Sequence, residues 1–458
     1  MTRPFTPADA IRTRFSEAMS AMYRAEVPLY GELLSIVAEV NATVLAERPD
    51  LAAELAAADE FDRLDVERHG AIRLGTAAEL HMMRRAFAVM GMVPVGYYDL
   101  SVAGVPVHST AFRPVDDGAL AANPFRVFTS LLRLELIEDA GLRAEAETIL
   151  STRRIFTDEA IHLIERHEAQ GGLDDADAGR FVLALLETFR WHGDARVDAA
   201  TYDRLHEAHR LIADIVSFRG PHINHLTPRT LDIDAAQDAM QVRGIDAKAV
   251  IEGPPRRAVP ILLRQTSFKA IEEDVIFPGE QPGQHTARFG EIEQRGAALT
   301  PKGRALYDRL LATARGEAGS QDASYADRLA TAFAAFPDTV DALREQGLAW
   351  FRYELTEAGQ RLVTTGGCRA GDIEDWLAAG HVRARPIVYE DFLPVSAAGI
   401  FQSNLGGTEQ RSYAASAAQA AFEAALGSAV QDELALYAEV EARSMRAVRE
   451  ALRGAAAA

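Results

Sequence analysis

Twice along this 458-residue chain a pattern set for helices gives way to short β-rich runs, and that double switch constrains the fold more than any other feature. The first switch comes at Phe61. Residues 62–75 read as a strand and 77–90 as a helix, and 93–100 and 105–113 are rich in β-branched and aromatic residues between Gly or Pro, as strands are. The second comes at Gly220-Pro221. Residues 222–229 form a short turn-bounded run, 232–242 read as a helix that Asp232 or Asp234 caps, and 259–270, 273–277 and 286–294 read as strands. The two stretches share a pattern without aligning residue by residue, so the expected repeat is structural only.

Around them the apolar spacing is helical. Residues 1–60 read as a helical lead opened by Thr6-Pro7, 125–215 as helices, 299–312 and 322–336 as helices, and 408–453 as an Ala-rich helix pair, with 387–402 an apolar segment packed on the sheet. The expected architecture is therefore α+β: a β core built from two βαβββ-type units with large helical insertions and helical termini. Its expected segments are 1–60, 61–120 (first half of the core), 121–218 (helical insertion), 219–298 (second half), 299–385 (helical insertion) and 386–458.

Composition narrows the chemistry. The single cysteine, Cys368, leaves no disulfide framework and no Cys-based zinc or iron–sulfur site within one chain, so a metal must be held by carboxylates and the twelve histidines. A net charge of −19 disfavours a general nucleic-acid or anionic-membrane binder. There is no run of about 18 uninterrupted apolar residues and no signal-peptide pattern, so no membrane partner and a cytoplasmic location are expected.

Three constellations are candidates for function. The first is His69, His225 and a glutamate at 291 or 293, each in a strand-like run of one of the two units. Two imidazoles and one carboxylate leave about three open positions on a cation, as non-haem iron(II) oxygenases require. Glu291 and Glu293 are two apart in a strand and point the same way, so periodicity does not choose between them. Arg73 is four residues after His69 and shares its face, where a guanidinium can grip a carboxylate; the plain alternative is an ion pair with Glu67 or Asp65. The second constellation is a helical di-metal site from Glu159, His162, Asp203 and His206 with Glu187, although helical pairs at this spacing are more often a solvated face. The third is the phrase beginning Leu299-Thr300-Pro301 and its echo at Leu355-Thr356, whose physical content is a Thr N-cap. His81 reads as a structural histidine, and no phosphate-binding glycine loop is present.

Four segments carry a resemblance: Glu67-Arg68-His69-Gly70-Ala71-Ile72-Arg73, Asn224-His225-Leu226-Thr227-Pro228-Arg229, Arg288-Phe289-Gly290-Glu291-Ile292-Glu293-Gln294-Arg295-Gly296 and Tyr389-Glu390-Asp391-Phe392-Leu393-Pro394-Val395-Ser396. Together they resemble the 2-oxoadipate dioxygenase/decarboxylase (2-hydroxyglutarate synthase) family over nearly the whole chain. The resemblance implies a vicinal-oxygen-chelate-type core and conversion of 2-oxoadipate and O2 to 2-hydroxyglutarate and CO2 on Fe(2+), in lysine catabolism. It implies His69, His225 and Glu293 as metal ligands, Arg73 as the substrate-binding arginine, and Val395 and Ser396 as further substrate contacts. An arylpyruvate dioxygenase or a metal-binding protein without turnover are the alternatives. An aryl substrate needs an apolar distal pocket, so Arg73 argues against the former.

Overall fold

A computed structural model describes residues 4–315, 325–365, 371–393 and 417–454 of the chain, in two compact units. The first unit comprises residues 1–252, 265–294 and 392–431, and the second 253–264, 295–391 and 432–458.

The first unit is built on a five-stranded sheet in the order β2–β3–β4–β1–β5. Its strands are β1 (Arg68–Leu74), β2 (Val93–Asp99), β3 (Val107–Arg113), β4 (Arg126–Leu132) and β5 (Leu226–Pro228). Helices α1 (Ala8–Glu26), α2 (Pro28–Glu47), α3 (Pro49–Ala57) and α4 (Arg63–Val66) precede the sheet, and α5 (Ala77–Val89) follows β1. Thr76 starts α5 with a reciprocal capping box to Glu79, which turns the chain sharply out of β1. β1 runs parallel to β4 and antiparallel to β5, pairing His69 with Arg126 on one side and Thr227 on the other.

Strand alternation sorts β1 into two faces. Ile72 and Leu74 join a core cluster with Leu80, Met83 and Phe87 of α5 and with Phe15, Met19 and Tyr23 of α1. Ala71 joins a second cluster with Tyr98, Ala111 and Phe128, and His69 and Arg73 lie on this same face. With both faces covered, six of the seven residues of β1 are buried. α2 is long and apolar enough to cross a membrane by length and composition, while its Tyr30, Leu33 and Ile36 are buried in the first cluster.

The second β-rich stretch contributes β5, the helix Ile233–Val242 capped by Asp232, β6 (Leu263–Ser267), β7 (Glu272–Phe277), β8 (Gln281–Thr286) and β9 (Glu291–Arg295). β6 pairs with β9, and β7 with β8. Arg229 bridges in parallel to Glu293, and the Thr230 N–H donates to the Glu293 carbonyl at 2.7 Å, so β9 lies beside the end of β5.

The structure corrects the sequence reading at several elements. Residues 126–132, expected within a helical insertion, form β4, the parallel neighbour of β1. Their β-forming residues Val127, Phe128 and Thr129 follow Asn123-Pro124, a signal outvoted by the leucines that come next. β8 was not expected: its sequence, Gln-Pro-Gly-Gln-His-Thr, is held by its partner β7 rather than by propensity. In the second unit, residues 299–385 are not wholly helical, because β10 (Phe351–Leu355) and β11 (Val382–Pro386) form an antiparallel pair among its helices. Of the expected C-terminal helix pair, Ala417–Leu426 and Glu433–Gly454 are described. Val395, Ser396 and Cys368 lie outside the described residues.

Candidate metal centre

β1, β5 and β9 deliver the candidate ligands from three parts of the chain. His69 is the second residue of β1, His225 immediately precedes β5, and Glu291 and Glu293 alternate with Ile292 on β9. All four side chains are fully buried. Gly70 lets β1 and the His225 segment approach closely, because a Cβ there would lie 2.6 Å from Ile223 Cδ1 and 2.8 Å from the His225 carbonyl.

The His69 ring stands between the two glutamates. Its Nε2 is 3.1 Å from Glu291 Oε1 and its Nδ1 is 3.0 Å from Glu293 Oε2. The His225 ring sits edge-on to it at 5.4 Å. One ligand atom each from His69, His225 and Glu291 fall within 4.8 Å of one another, the only such group of three or more among the described residues. Both ring nitrogens of His225 and Oε2 of Glu291 are buried without a hydrogen-bond partner. Unpaired buried polar atoms are costly, and a cation held between one His225 nitrogen and the Glu291 carboxylate would relieve part of that cost. An N,N,O donor set fits Fe(2+) among several divalent metals.

Electrostatics prepare the two imidazoles differently. Burial, then His69 and Arg73, push the His225 pKa well below its usual value, so the ring is neutral as a ligand must be. Burial pushes His69 the same way, but Glu293 and Glu291 outweigh it and hold its pKa raised. Glu291 Oε1 also accepts from Thr227 Oγ1 at 3.0 Å and Gln265 Nε2 at 2.8 Å, so neutral donors fix that carboxylate. Phe392 closes the apolar side, with its ring 5.0 Å from His69 and 5.4 Å from Phe128.

Arg73 lies on the same face of β1 as His69 and is 5% exposed. Its partner is Asp214, with Nη1 2.6 Å from Oδ2. The expected alternative partner, Glu67, is instead gripped by Arg63, Arg126 and Arg229 in a buried cluster. Asp214 was missed in the sequence reading. The available signal was one acid inside the apolar run Leu211–Val216, where a charge persists only with a partner.

The second candidate constellation does not assemble. Glu159 pairs with Arg180, Glu187 with Arg190, and His162 with Arg166, while Asp203 and His206 are exposed on the helix Ala199–Ala208. The Thr phrases are caps: Thr300 and Thr356 each accept from the N–H of the glycine three residues on, both at 3.1 Å. His81 Nδ1 faces the Leu426 carbonyl at the end of a packed helix.

Comparison with known proteins identifies the family. The sequence model of the family described as 2-oxoadipate dioxygenase/decarboxylase matches residues 15–404. The chain is 59% identical to the Pseudomonas putida 2-oxoadipate dioxygenase/decarboxylase, over 98% of both chains. It is 59% identical to the protein of that name from Escherichia coli, over 96% of this chain and 98% of the other. Among solved structures, the hydroxyglutarate synthase of Pseudomonas putida in complex with 2-oxoadipate superposes with a TM-score of 0.91 at 58% identity, covering 98% of this chain and 99% of that one. With the matched profile spanning most of its length and relatives aligned end to end, the chain belongs to the 2-oxoadipate dioxygenase/decarboxylase family.

Proposed function

We propose that this protein is a non-haem Fe(2+) dioxygenase that converts 2-oxoadipate and O2 to 2-hydroxyglutarate and CO2. The observation that carries the reading is the convergence of His69, His225 and a β9 glutamate, with both His225 nitrogens buried and unpaired. The fold reading goes with it. β1–α5–β2–β3–β4 is a βαβββ unit closed by a parallel β1–β4 pair, and β5 and β9 repeat that parallel juxtaposition, as two halves of a vicinal-oxygen-chelate-like core do.

The proposed ligands are His69, His225 and Glu293. A histidine that ligates through one nitrogen usually donates the other to a carboxylate, which fixes its tautomer. His69 has a glutamate at each nitrogen, so one ligates beside it and the other orients it. Glu291, held by Thr227 and Gln265, suits the orienting role, which leaves Glu293 as ligand. A second reading exchanges the two, and the 4.8 Å grouping and the unpaired Oε2 of Glu291 favour it. Fe(2+) content of Glu291→Gln and Glu293→Gln separates them: the ligand variant loses the metal, whereas the orienting variant retains it with reduced affinity.

A bound Fe(2+) supplies chelation of a 2-oxo acid through its carboxylate and keto oxygens, and activation of dioxygen. The protein supplies the remainder. Neutral His225 is ready to ligate without first losing a proton. Phe392 and Phe128 line an apolar side that excludes water from the reacting carbon. Arg73, four strand residues from His69 and so roughly 13 Å away along β1, takes the distal carboxylate and sets which carbon faces the metal. Val395 and Ser396 are further proposed substrate contacts. Both oxygen atoms enter one substrate, so no separate 2-oxo acid is consumed. Oxygen uptake by the Fe(2+)-loaded protein across a panel of 2-oxo acids tests the proposal. Uptake with 2-oxoadipate at one O2 per CO2 supports it. No uptake with any acid would make the protein a metal binder, and preference for an arylpyruvate would make it a different dioxygenase.

A further inference from the structure

Arg73 is held by a chain of buried side chains outside the metal cluster. Asp214 Oδ2 accepts from Arg73 Nη1 at 2.6 Å. Asp214 Oδ1 faces His285 Nε2 at 2.9 Å and His222 Nε2 at 3.3 Å. If His285 donates from Nε2, its Nδ1 is left to accept from the Tyr202 hydroxyl, 2.8 Å away. The Asn224 amide, oriented to satisfy both its ends, accepts from Arg73 Nη1 and His222 Nε2, each at 3.2 Å. Trp191 stacks parallel to the His285 ring. Arg73, Asp214, His222 and His285 are each 5% exposed or less, and Tyr202 is 8% exposed. Burial acts to raise the Asp214 pKa, but His222 and Arg73 outweigh it and hold it well below the carboxylate range, so the acid keeps its charge.

Such an arrangement does more than neutralise Arg73. A long side chain that must be ordered when substrate arrives lowers affinity, and one ordered beforehand does not. We propose that Asp214 is a positioning residue that fixes the Arg73 guanidinium for the distal carboxylate of the substrate, that His285 and Tyr202 in turn fix Asp214, and that this chain sets the preference for 2-oxo dicarboxylates over 2-oxo monocarboxylates. The inference rests on the reading of Arg73 as the distal-carboxylate anchor. It runs against a simple charge argument, in which Asp214 competes with the substrate and its removal would strengthen binding.

The experiment compares anaerobic binding of 2-oxoadipate and 2-oxohexanoate, which lacks the distal carboxylate, to the Fe(2+)-loaded full chain. Both keep the chelating end, so the ratio of their Kd values reports the distal contact alone. Asp214→Asn should reduce the preference for 2-oxoadipate about tenfold, with Kd for 2-oxohexanoate and the Fe(2+) content unchanged. His285→Gln should reduce it by a smaller factor, and Tyr202→Phe by less again. A merely structural role would lower the melting temperature and move both Kd values together. Arg73→Ala is the control for the underlying reading. If it abolishes the preference while Asp214→Asn keeps or strengthens it, the positioning role is overturned and the anchor stands. If Arg73→Ala leaves the preference intact, the anchor itself is wrong. Should Asp214→Asn fail to fold, His285→Gln decides by the same criterion: an unchanged preference in the folded variant overturns the proposal.

Discussion

Replacing Arg73 by alanine has two separable consequences, and their sizes follow from its surroundings. Toward substrate, it removes the proposed charge-assisted fork to the distal carboxylate. Hydrogen bonds to charged groups are each worth about 1.5–3 kcal/mol, so a loss of ~2–3 kcal/mol is a conservative figure for the pair. At 1.36 kcal/mol per tenfold, kcat/KM for 2-oxoadipate should fall roughly 30- to 150-fold. Toward the fold, it takes from Asp214, 4% exposed, its 2.6 Å partner, while His285 and His222 remain beside the other carboxylate oxygen. Leaving a buried charge wholly unpaired typically costs about 3–5 kcal/mol, and the retained histidines place the cost below that range. The double variant Arg73→Ala/Asp214→Asn removes both charges, so it should recover much of the stability and none of the kcat/KM. Arg73→Lys should recover part of the activity, because an ammonium keeps the charge without the planar fork. Oxygen-uptake kinetics and urea unfolding of the three variants read both quantities. Wild-type kcat/KM in Arg73→Ala refutes the assignment, and recovery of kcat/KM in the double variant would show that stability alone was measured.

Two further predictions concern the scaffold. Gly70→Ala places a Cβ against Ile223 and the His225 carbonyl, so it should push the His225 segment off β1 and weaken Fe(2+) binding, by equilibrium dialysis, more than it lowers the melting temperature. On β3, burial and then Arg133 bring the His108 pKa from 6.5 down to about 4, so the folded state holds this ring neutral. The unfolded chain takes up the proton first as pH falls, so stability contributed by the neutral ring is fully present above about pH 6.5 and is lost progressively toward pH 4, by roughly 3 kcal/mol in all. His108→Gln should flatten that part of the pH–stability curve, measured by urea midpoints between pH 4 and 7. An unchanged slope would contradict it.

How much of this was visible in the sequence depends on how local each signal is. β1, α5, β2 and β3 were legible because alternation, a capping Thr and bounding Gly or Pro residues all act within a few positions. His69, Arg73 and His225 fall in strand-like runs, but spacing alone is a weak signal, and it is the four resembling segments together that single them out. β4 was lost because its strand formers run into the Leu-rich segment 131–136, and only pairing with β1 decides its conformation. β8 carries Pro and Gly and exists as the second arm of a hairpin. The glutamates of β9 show the limit at the site. Both are buried on one side of a strand with the His69 ring between them, and strand periodicity says nothing of which one would ligate. Asp214 is distant from Arg73 by 141 residues, and nothing local could have joined them.

Anaerobic Fe(2+) titration of the wild type and of His225→Gln tests the central claim most directly. The wild type should take up one Fe(2+) per chain and develop a visible charge-transfer band when 2-oxoadipate is added, and His225→Gln should show neither while remaining folded. A folded His225→Gln that binds Fe(2+) as tightly as the wild type would place the metal elsewhere and contradict the account.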